Sequence, residues 1–508
     1  MTQERNPWPA LWALVIGFFM ILIDTTIVSI ANPSIQEGLN ASIDQVIWVT
    51  SAYLLAYAVP LLITGRLGDR FGPKLMYQIG LVTFTLSSLM CGLADTLPGS
   101  GIGNLIAFRA LQGLGAGLMT PQTMAVITRT FPAARRGVAM ALWGAVSGVA
   151  ILVGPLLGGV LVDGPGWEWI FFVNVPIGVV AFIAAQMLVP RLETHQHSFD
   201  WFGVALSALG MFLLVFGLQQ GHAYDWNNAI WACIAGGVVV LALFIVWQRV
   251  NKKEPLVPLG LFKDRNFSVA NGAITTVGFA FTSMFIPLVY FFQVVRGLSP
   301  TQTALMTIPT AVATLAFSRL AGTLADKVHP RAIVVPGLMV STLAIVLWSQ
   351  MLTPDIAIGW LLVPPFLLGA GSAFLWAPLA STATRNLPMS AAGAGAGVYN
   401  TTRQVGGVLG SAAIATVIVN RLVANGFTGS SQGEMGAGPL PAPMQEAFAT
   451  AMGQTILLPA VALFVGGIVA AFFIKPSHFG AAEPKQADPA MVVNAEGEEH
   501  SMAEVTPA

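Results

Sequence analysis

The sequence predicts an all-α membrane protein in which two six-helix bundles are separated by two inserted helices, fourteen spans in all. Three observations carry that expectation. Hydrophobic side chains make up 55% of the chain and charged ones only 9%, far below the roughly 25% charge of a soluble domain. Apolar runs of about 20 residues, the length a bilayer core requires, recur fourteen times. A charged decapeptide also appears twice, and its two positions set how the spans are grouped.

The runs fall at 10–31, 46–64, 75–94, 104–127, 137–162, 168–190, 201–219, 228–248, 267–292, 301–324, 332–351, 356–380, 393–420 and 453–474. After the second run the chain reads GRLGDRFGPK, residues 65–74, and after the tenth it reads GTLADKVHPR, residues 322–331. Each copy has Gly, three residues, Asp, a base, three residues and a second base: Gly65, Asp69, Arg70 and Lys74, then Gly322, Asp326, Lys327 and Arg331. The copies occupy equivalent places only if runs 9–14 form the second bundle. The expected organisation is therefore a cytoplasmic tail (1–9), a first bundle (10–190), two inserted helices with a basic linker (191–266), a second bundle (267–475) and a disordered tail (476–508). Repeated bundles around a central cavity are a transporter architecture.

Lys and Arg orient the chain. With a cytoplasmic N-terminus, nineteen of the twenty-three bases face the cytoplasm and only Arg296 and Arg421 lie in outer loops. Positive charge stays inside, so both termini are expected in the cytoplasm and the protein in the cell's inner membrane. Zero net charge gives no pull on nucleic acid. Cys91 and Cys233 stand alone in separate spans, and the six histidines lie in loops, span ends or tails, so no metal cluster is expected. No GxxxxGK[ST], HExxH or CxxC element occurs, so neither an enzyme nor an ATP-driven machine is indicated. No cofactor is expected.

With loop and tail charges set aside, three remain in the membrane: Asp24, Arg109 and Arg403. An ionised side chain at that depth costs several kcal/mol unless it is paired or protonated. Asp24 lies about seven residues from the outer end of its span, and Arg109 about five from the outer end of the fourth. The corresponding depths, roughly 10 and 8 Å, allow the two to pair. Such a pair either locks two helices permanently or serves as a proton site, because Arg lowers the aspartate pKa and desolvation raises it. Arg403 lies near mid-membrane beside Tyr399, Asn400 and Gln404. It is either satisfied by backbone carbonyls at a helix break or faces a cavity.

The segment 65–74 reads as a cytoplasmic loop. Asp69 is placed to accept from a facing helix N-terminus, and Arg70 and Lys74 to pair with carboxylates. Span 5 holds Gly154, Pro155, Gly158 and Gly159; the glycines permit close packing and the proline a kink. Tyr53, Tyr57, Gln112, Trp143, Phe281, Trp376, Asn400 and Arg403 are candidates for an amphiphilic cavity, although core or lipid-facing packing is an ordinary alternative for each single one.

Taken together these segments resemble a known family. GRLGDRFGPK is similar to the loop signature of the major facilitator superfamily, and NLIAFRALQG (104–113) to its helix-4 motif, with Arg109 the matching arginine. GAVSGVAILVGPLLGG (144–159) resembles the antiporter motif of helix 5. LIDTTIVSIANPSI (22–35) and WEWIFFVNVPIG (167–178) resemble segments of the fourteen-helix drug:proton antiporters. The resemblance covers about 20–475. It implies multidrug efflux: export of small lipophilic or amphiphilic compounds, driven by protons, with Asp24 and Arg109 in coupling; separately, a monomer is expected. Pro73 stands where the loop motif usually has a base, and the second bundle lacks the extra acids of dication exporters. Export of a specific metabolite or lipid, and a non-transporting receptor or scaffold, are the alternatives.

Overall fold

The structure is a computed structural model. It describes residues 6–131, 139, 146, 149–150, 153–194, 200–221, 224–251, 253, 255–387, 389–427, 440–475, 491–493 and 499–501. The first half contains α1 (Trp8–Gly38), α2 (Ile43–Phe71), α3 (Pro73–Gly92), α4 (Gly101–Thr130), α5 (Val153–Asp163) and α6 (Trp169–Leu188). The inserted pair is α7 (Trp201–Gln220) and α8 (Asn228–Val250). The second half contains α9 (Arg265–Val295), α10 (Pro300–Leu324, its last turn running to Lys327), α11 (Pro330–Met351), α12 (Ile358–Thr384), α13 (Met389–Ala424) and α14 (Met444–Ala470).

Eleven of these helices are long and apolar enough to cross a membrane, counted over the described residues. That is short of the fourteen expected. The three not counted are α2, α4, whose glycines and polar side chains dilute an otherwise long helix, and the fifth expected span, described only as the short apolar α5. The last helix takes in Met444 to Met452, the apolar stretch that the sequence places in an outer loop. Within the segment read as a disordered tail, β1 (Met491–Val493) pairs antiparallel with β2 (Glu499–Ser501).

Both decapeptides turn out to be helix ends rather than loops. α2 continues through Gly65 to Phe71, Gly72 alone makes the turn at φ +96°, and Pro73 starts α3. A positive φ is one that glycine adopts without steric cost, and a helix-starting proline gives up no hydrogen bond. In the second copy Gly322 lies in α10 and Arg331 follows the helix-starting Pro330 of α11.

Glycine notches set the packing in each half. A Cβ on Gly117 would sit 2.9 Å from Pro60 Cγ, and one on Gly113 would strike the backbone of Tyr53, so α4 lies directly on α2. In the second half Gly278 of α9 meets the Arg403 carbonyl, while Gly406 and Gly410 of α13 meet Thr275 and Phe279. Without a hydrophobic drive between helices in lipid, such close backbone approach supplies the van der Waals contact that holds them.

The halves meet at one end, where the Ser42 capping box starts α2. There Tyr290 donates to Gln36 Oε1 (2.7 Å), Gln293 donates to the Ile30 carbonyl (3.0 Å), and Asp163 Oδ2 accepts from Ser299 Oγ and the Thr301 amide (both 2.9 Å). The inserted pair joins in: Ser51 Oγ lies 2.6 Å from Ser411 Oγ and accepts from Gln219 Nε2, also at 2.6 Å.

Candidate functional site

Near the middle of the 31-residue α1, Asp24 is fully buried, and Arg109 of α4 is 1% exposed. α1 runs on to Gly38, so the acid sits deeper in its helix than the apolar run suggests. Arg109 Nη1 donates to Asp24 Oδ2 at 2.6 Å. Two neutral amides complete the carboxylate: Gln112 Nε2 donates to Oδ1 at 2.9 Å and Asn174 Nδ2 at 3.0 Å. Gln112 lies one turn beyond Arg109 on the same helix face, and its Oε1 accepts from Nη1 at 2.6 Å. Arg109 Nε donates to the Val49 carbonyl at 3.3 Å, and the guanidinium covers the Tyr53 ring at 4.1 Å.

α6 contributes the part that the sequence reading did not assign. Asn174 also donates to Ser88 Oγ (3.0 Å), which donates in turn to the Phe171 carbonyl (2.8 Å), tying α6 to α3 and to the acid. An amide inside the apolar run FFVNVPIG was the available signal. A buried ion pair survives only when further hydrogen bonds satisfy both ions, and this network does that for both oxygens of Asp24. Loss of the carboxylate charge would leave Arg109 with an uncompensated charge.

The helix-5 glycines flank the acid. A Cβ on Gly154 would strike Thr26 Oγ1, and one on Gly158 would lie 2.8 Å from Ile27 Cγ1. Gly159 looks the other way, its Cβ position 2.6 Å from Thr301 Cα in the second half. Pro155 is buried between them. This short helix thus touches both the acid-bearing helix and the opposite half.

The remaining candidates separate into groups. Tyr53 and Tyr57 lie together, ring centroids 6.0 Å apart, and the Tyr57 hydroxyl is 2.9 Å from Thr120 Oγ1. Phe281 and Trp376 form an edge-to-face pair at 5.3 Å in the second half. Asn400 turns its amide back onto the Ala396 carbonyl (3.0 Å). Trp143 lies outside the described residues.

Arg403 sits in an unbroken 36-residue helix, so no helix break supplies it with carbonyls. Its Nε is buried and has no hydrogen-bond partner among the described residues. At the helix ends, Lys74 donates to the Gln186 carbonyl (2.7 Å) rather than to a carboxylate, and the Arg70 guanidinium stands 5.5 Å from the Phe71 ring. The Arg331 amide donates to His329 Nδ1 at 3.1 Å. The side chains of Asp69 and Asp326 lie outside the described residues. Gly65 has open space beside it.

The family model described as Major Facilitator Superfamily matches residues 14–411. The chain belongs to that superfamily. A relative named an uncharacterized MFS-type transporter, from Mycobacterium tuberculosis, is 52% identical over 490 residues, spanning 95% of this chain and 83% of the relative. The tetracenomycin C resistance and export protein of Streptomyces glaucescens is 33% identical over 421 residues, 82% of this chain and 77% of that one. Among solved structures, a bacterial homolog of the human lysosomal transporter Spinster superposes with a TM-score of 0.62 at 17% identity, covering 93% of this chain and 98% of that one. This major facilitator is therefore a multi-pass membrane transporter with drug-export relatives, and not an enzyme. Transporter kinship removes the receptor or scaffold alternative.

Proposed function

We propose that this protein is a proton-coupled antiporter of the inner membrane that exports lipophilic or amphiphilic compounds by alternating access. Fourteen crossings would put both termini in the cytoplasm, with the α1–α2 turn outside. The structure would then be the state closed to the outside, held by the contacts from Gln36, Ser51 and Asp163 to the second half.

One observation carries the reading: a single acid in the membrane interior, held by one arginine and two neutral amides. Protonation of Asp24 removes one charge of the pair. Arg109 then loses its counter-ion while the amides keep a neutral partner, and the arrangement of α1 against α4 and α5 ceases to be the favoured one. Because Gly159 of α5 abuts Thr301, a shift of α1 and α5 would loosen the closed end. Proton entry from outside and substrate entry from the cytoplasm or inner leaflet would then alternate. One charge crossing about 100 mV is worth about 2.3 kcal/mol, to which the pH gradient adds. The export function named for the tetracenomycin relative supports the direction of transport.

The test is transport in proteoliposomes against an imposed pH gradient, over a panel of lipophilic compounds. Wild type is expected to couple compound movement to proton movement; Asp24→Asn is expected to lose that coupling while still reconstituting as folded protein, at a lowered thermal midpoint because Arg109 is left without its counter-ion. Normal coupled transport in Asp24→Asn would defeat the proton assignment.

A further inference from the structure

The seam between the halves continues past the closed end. α2 and α13 run against each other in antiparallel register: Ser51 meets Ser411, and a turn further Leu54 lies 3.9 Å from the Cβ position of Gly407. One more turn in the same register sets Tyr57 opposite Arg403, with Tyr399 a further turn along α13. Tyr399, Arg403, Gly407 and Ser411 are spaced four residues apart, which places them on one face of α13. The Arg403 stem lies 3.4 Å from the Cβ position of Gly278, on α9. The charged group therefore sits where α2, α9 and α13 converge, in the seam and not against lipid.

The seam is built with polarity left over. Arg403 Nε and the Tyr399 hydroxyl are both buried without partners among the described residues. Arg403 forms no ion pair among the described residues; the membrane acid Asp24 is committed to Arg109 at 2.6 Å. A guanidinium so placed has a fork of donors and no acceptor, and its pairing geometry suits a carboxylate or phosphate. Three residues along α9 from Gly278 is Phe281, stacked edge-to-face on Trp376, which offers an apolar surface beside the charge.

We propose that Arg403 and Tyr399, facing Tyr57 across the seam, bind the anionic headgroup of an exported amphiphile: a carboxylate, sulfonate or phosphate on an apolar body. The body lies along Phe281 and Trp376. This rests on the export reading, and it narrows the substrate class to compounds that carry negative charge at neutral pH.

The experiment is equilibrium binding to the full-length protein in phosphatidylcholine nanodiscs, with empty nanodiscs subtracted. The probes are pyrenebutyrate, its methyl ester and a pyrenebutyl-trimethylammonium of the same size. Wild type is expected to bind the carboxylate at least about tenfold more tightly than either analogue, in keeping with a charged hydrogen bond. Arg403→Gln should lose that preference while holding the ester as wild type does, and Arg403→Lys should keep part of it. Tyr399→Phe should weaken the carboxylate alone, by about two- to fivefold. A wild-type protein indifferent to probe charge, or an unchanged preference in Arg403→Gln, would overturn the assignment. Should Arg403→Gln not fold, the wild-type ranking and the Lys variant still decide. Equilibrium binding needs no gradient, so a failure of proton coupling in vesicles would strike the antiporter reading and leave this measurement standing.

Discussion

Two arginines sit deep in this protein, one in each half, and they are treated in opposite ways. Arg109 is 1% exposed and spends its donors on Asp24, Gln112 and Val49, with Tyr53 beneath it. Arg403 is half-buried, with its Nε unmatched among the described residues. In the proposed mechanism the satisfied pair is the switch that one proton throws. A charge left unsatisfied is an invitation to a ligand. The difference suggests a division of labour, with the proton handled in the first half and the solute's headgroup in the second.

The sharpest way to break that contrast is to delete each arginine. Arg109→Ala leaves the Asp24 carboxylate buried without its counter-ion, and loss of one partner of a buried pair costs about 3–5 kcal/mol. Arg403→Ala removes no assigned partner, so its cost should stay within about 1 kcal/mol. Thermal midpoints of the two variants in the same detergent check this. Equal losses would show that Arg403 is a structural residue after all.

A smaller effect is expected where the halves touch. Gly159→Val would drive a branched side chain into Thr301, whose Cα is 2.6 Å from the Cβ position, and should disfavour the closed end. Cysteines placed by Asp163→Cys and Thr301→Cys should cross-link readily in the otherwise unaltered chain and more than about tenfold less when Gly159→Val is added. Ser411→Ala is milder. It removes one of two hydrogen bonds to Ser51, worth about 0.5–1.5 kcal/mol, and should lower the same cross-linking yield of the Asp163→Cys, Thr301→Cys pair by a factor of two to ten.

The smallest expected effect concerns Asp200, an acid with no ion pair among the described residues. Asp200 caps α7; burial pushes its carboxyl up, yet hydrogen bonds from Trp247, Gln248, the Gly203 amide and Asn251 outweigh that and hold it below the usual carboxylate range. A lowered folded-state pKa stabilises above the unfolded value of about 3.9 and is lost as pH falls through the folded one. The thermal midpoint should therefore drop on acidification below about pH 4, and Asp200→Asn should flatten that dependence. An unchanged slope would show that the neutral donors do not favour the ionised form.

Asp24, Arg109 and Arg403 were legible because a charge in an apolar run stands out against its neighbours, and helix spacing put the first two at similar depth. Asn174, Ser88 and the Val49 carbonyl were not, since an amide, a hydroxyl and a backbone oxygen acquire meaning only from what they face. The decapeptides show the same limit from the other side. Gly and charge in sequence suggested loops, but helix hydrogen bonding carries α2 through Gly65 and Asp69 and stops only at Gly72.

By itself the sequence determined that this chain lives in a membrane, that its halves repeat, and that three charges lie where charge is costly. Those properties follow from composition, period and the price of desolvation, which are local. Tertiary structure alone decided which charge is satisfied. Whether an arginine meets a carboxylate or is left without one among the described residues depends on groups brought from helices distant along the chain, and no one-dimensional pattern specifies that convergence.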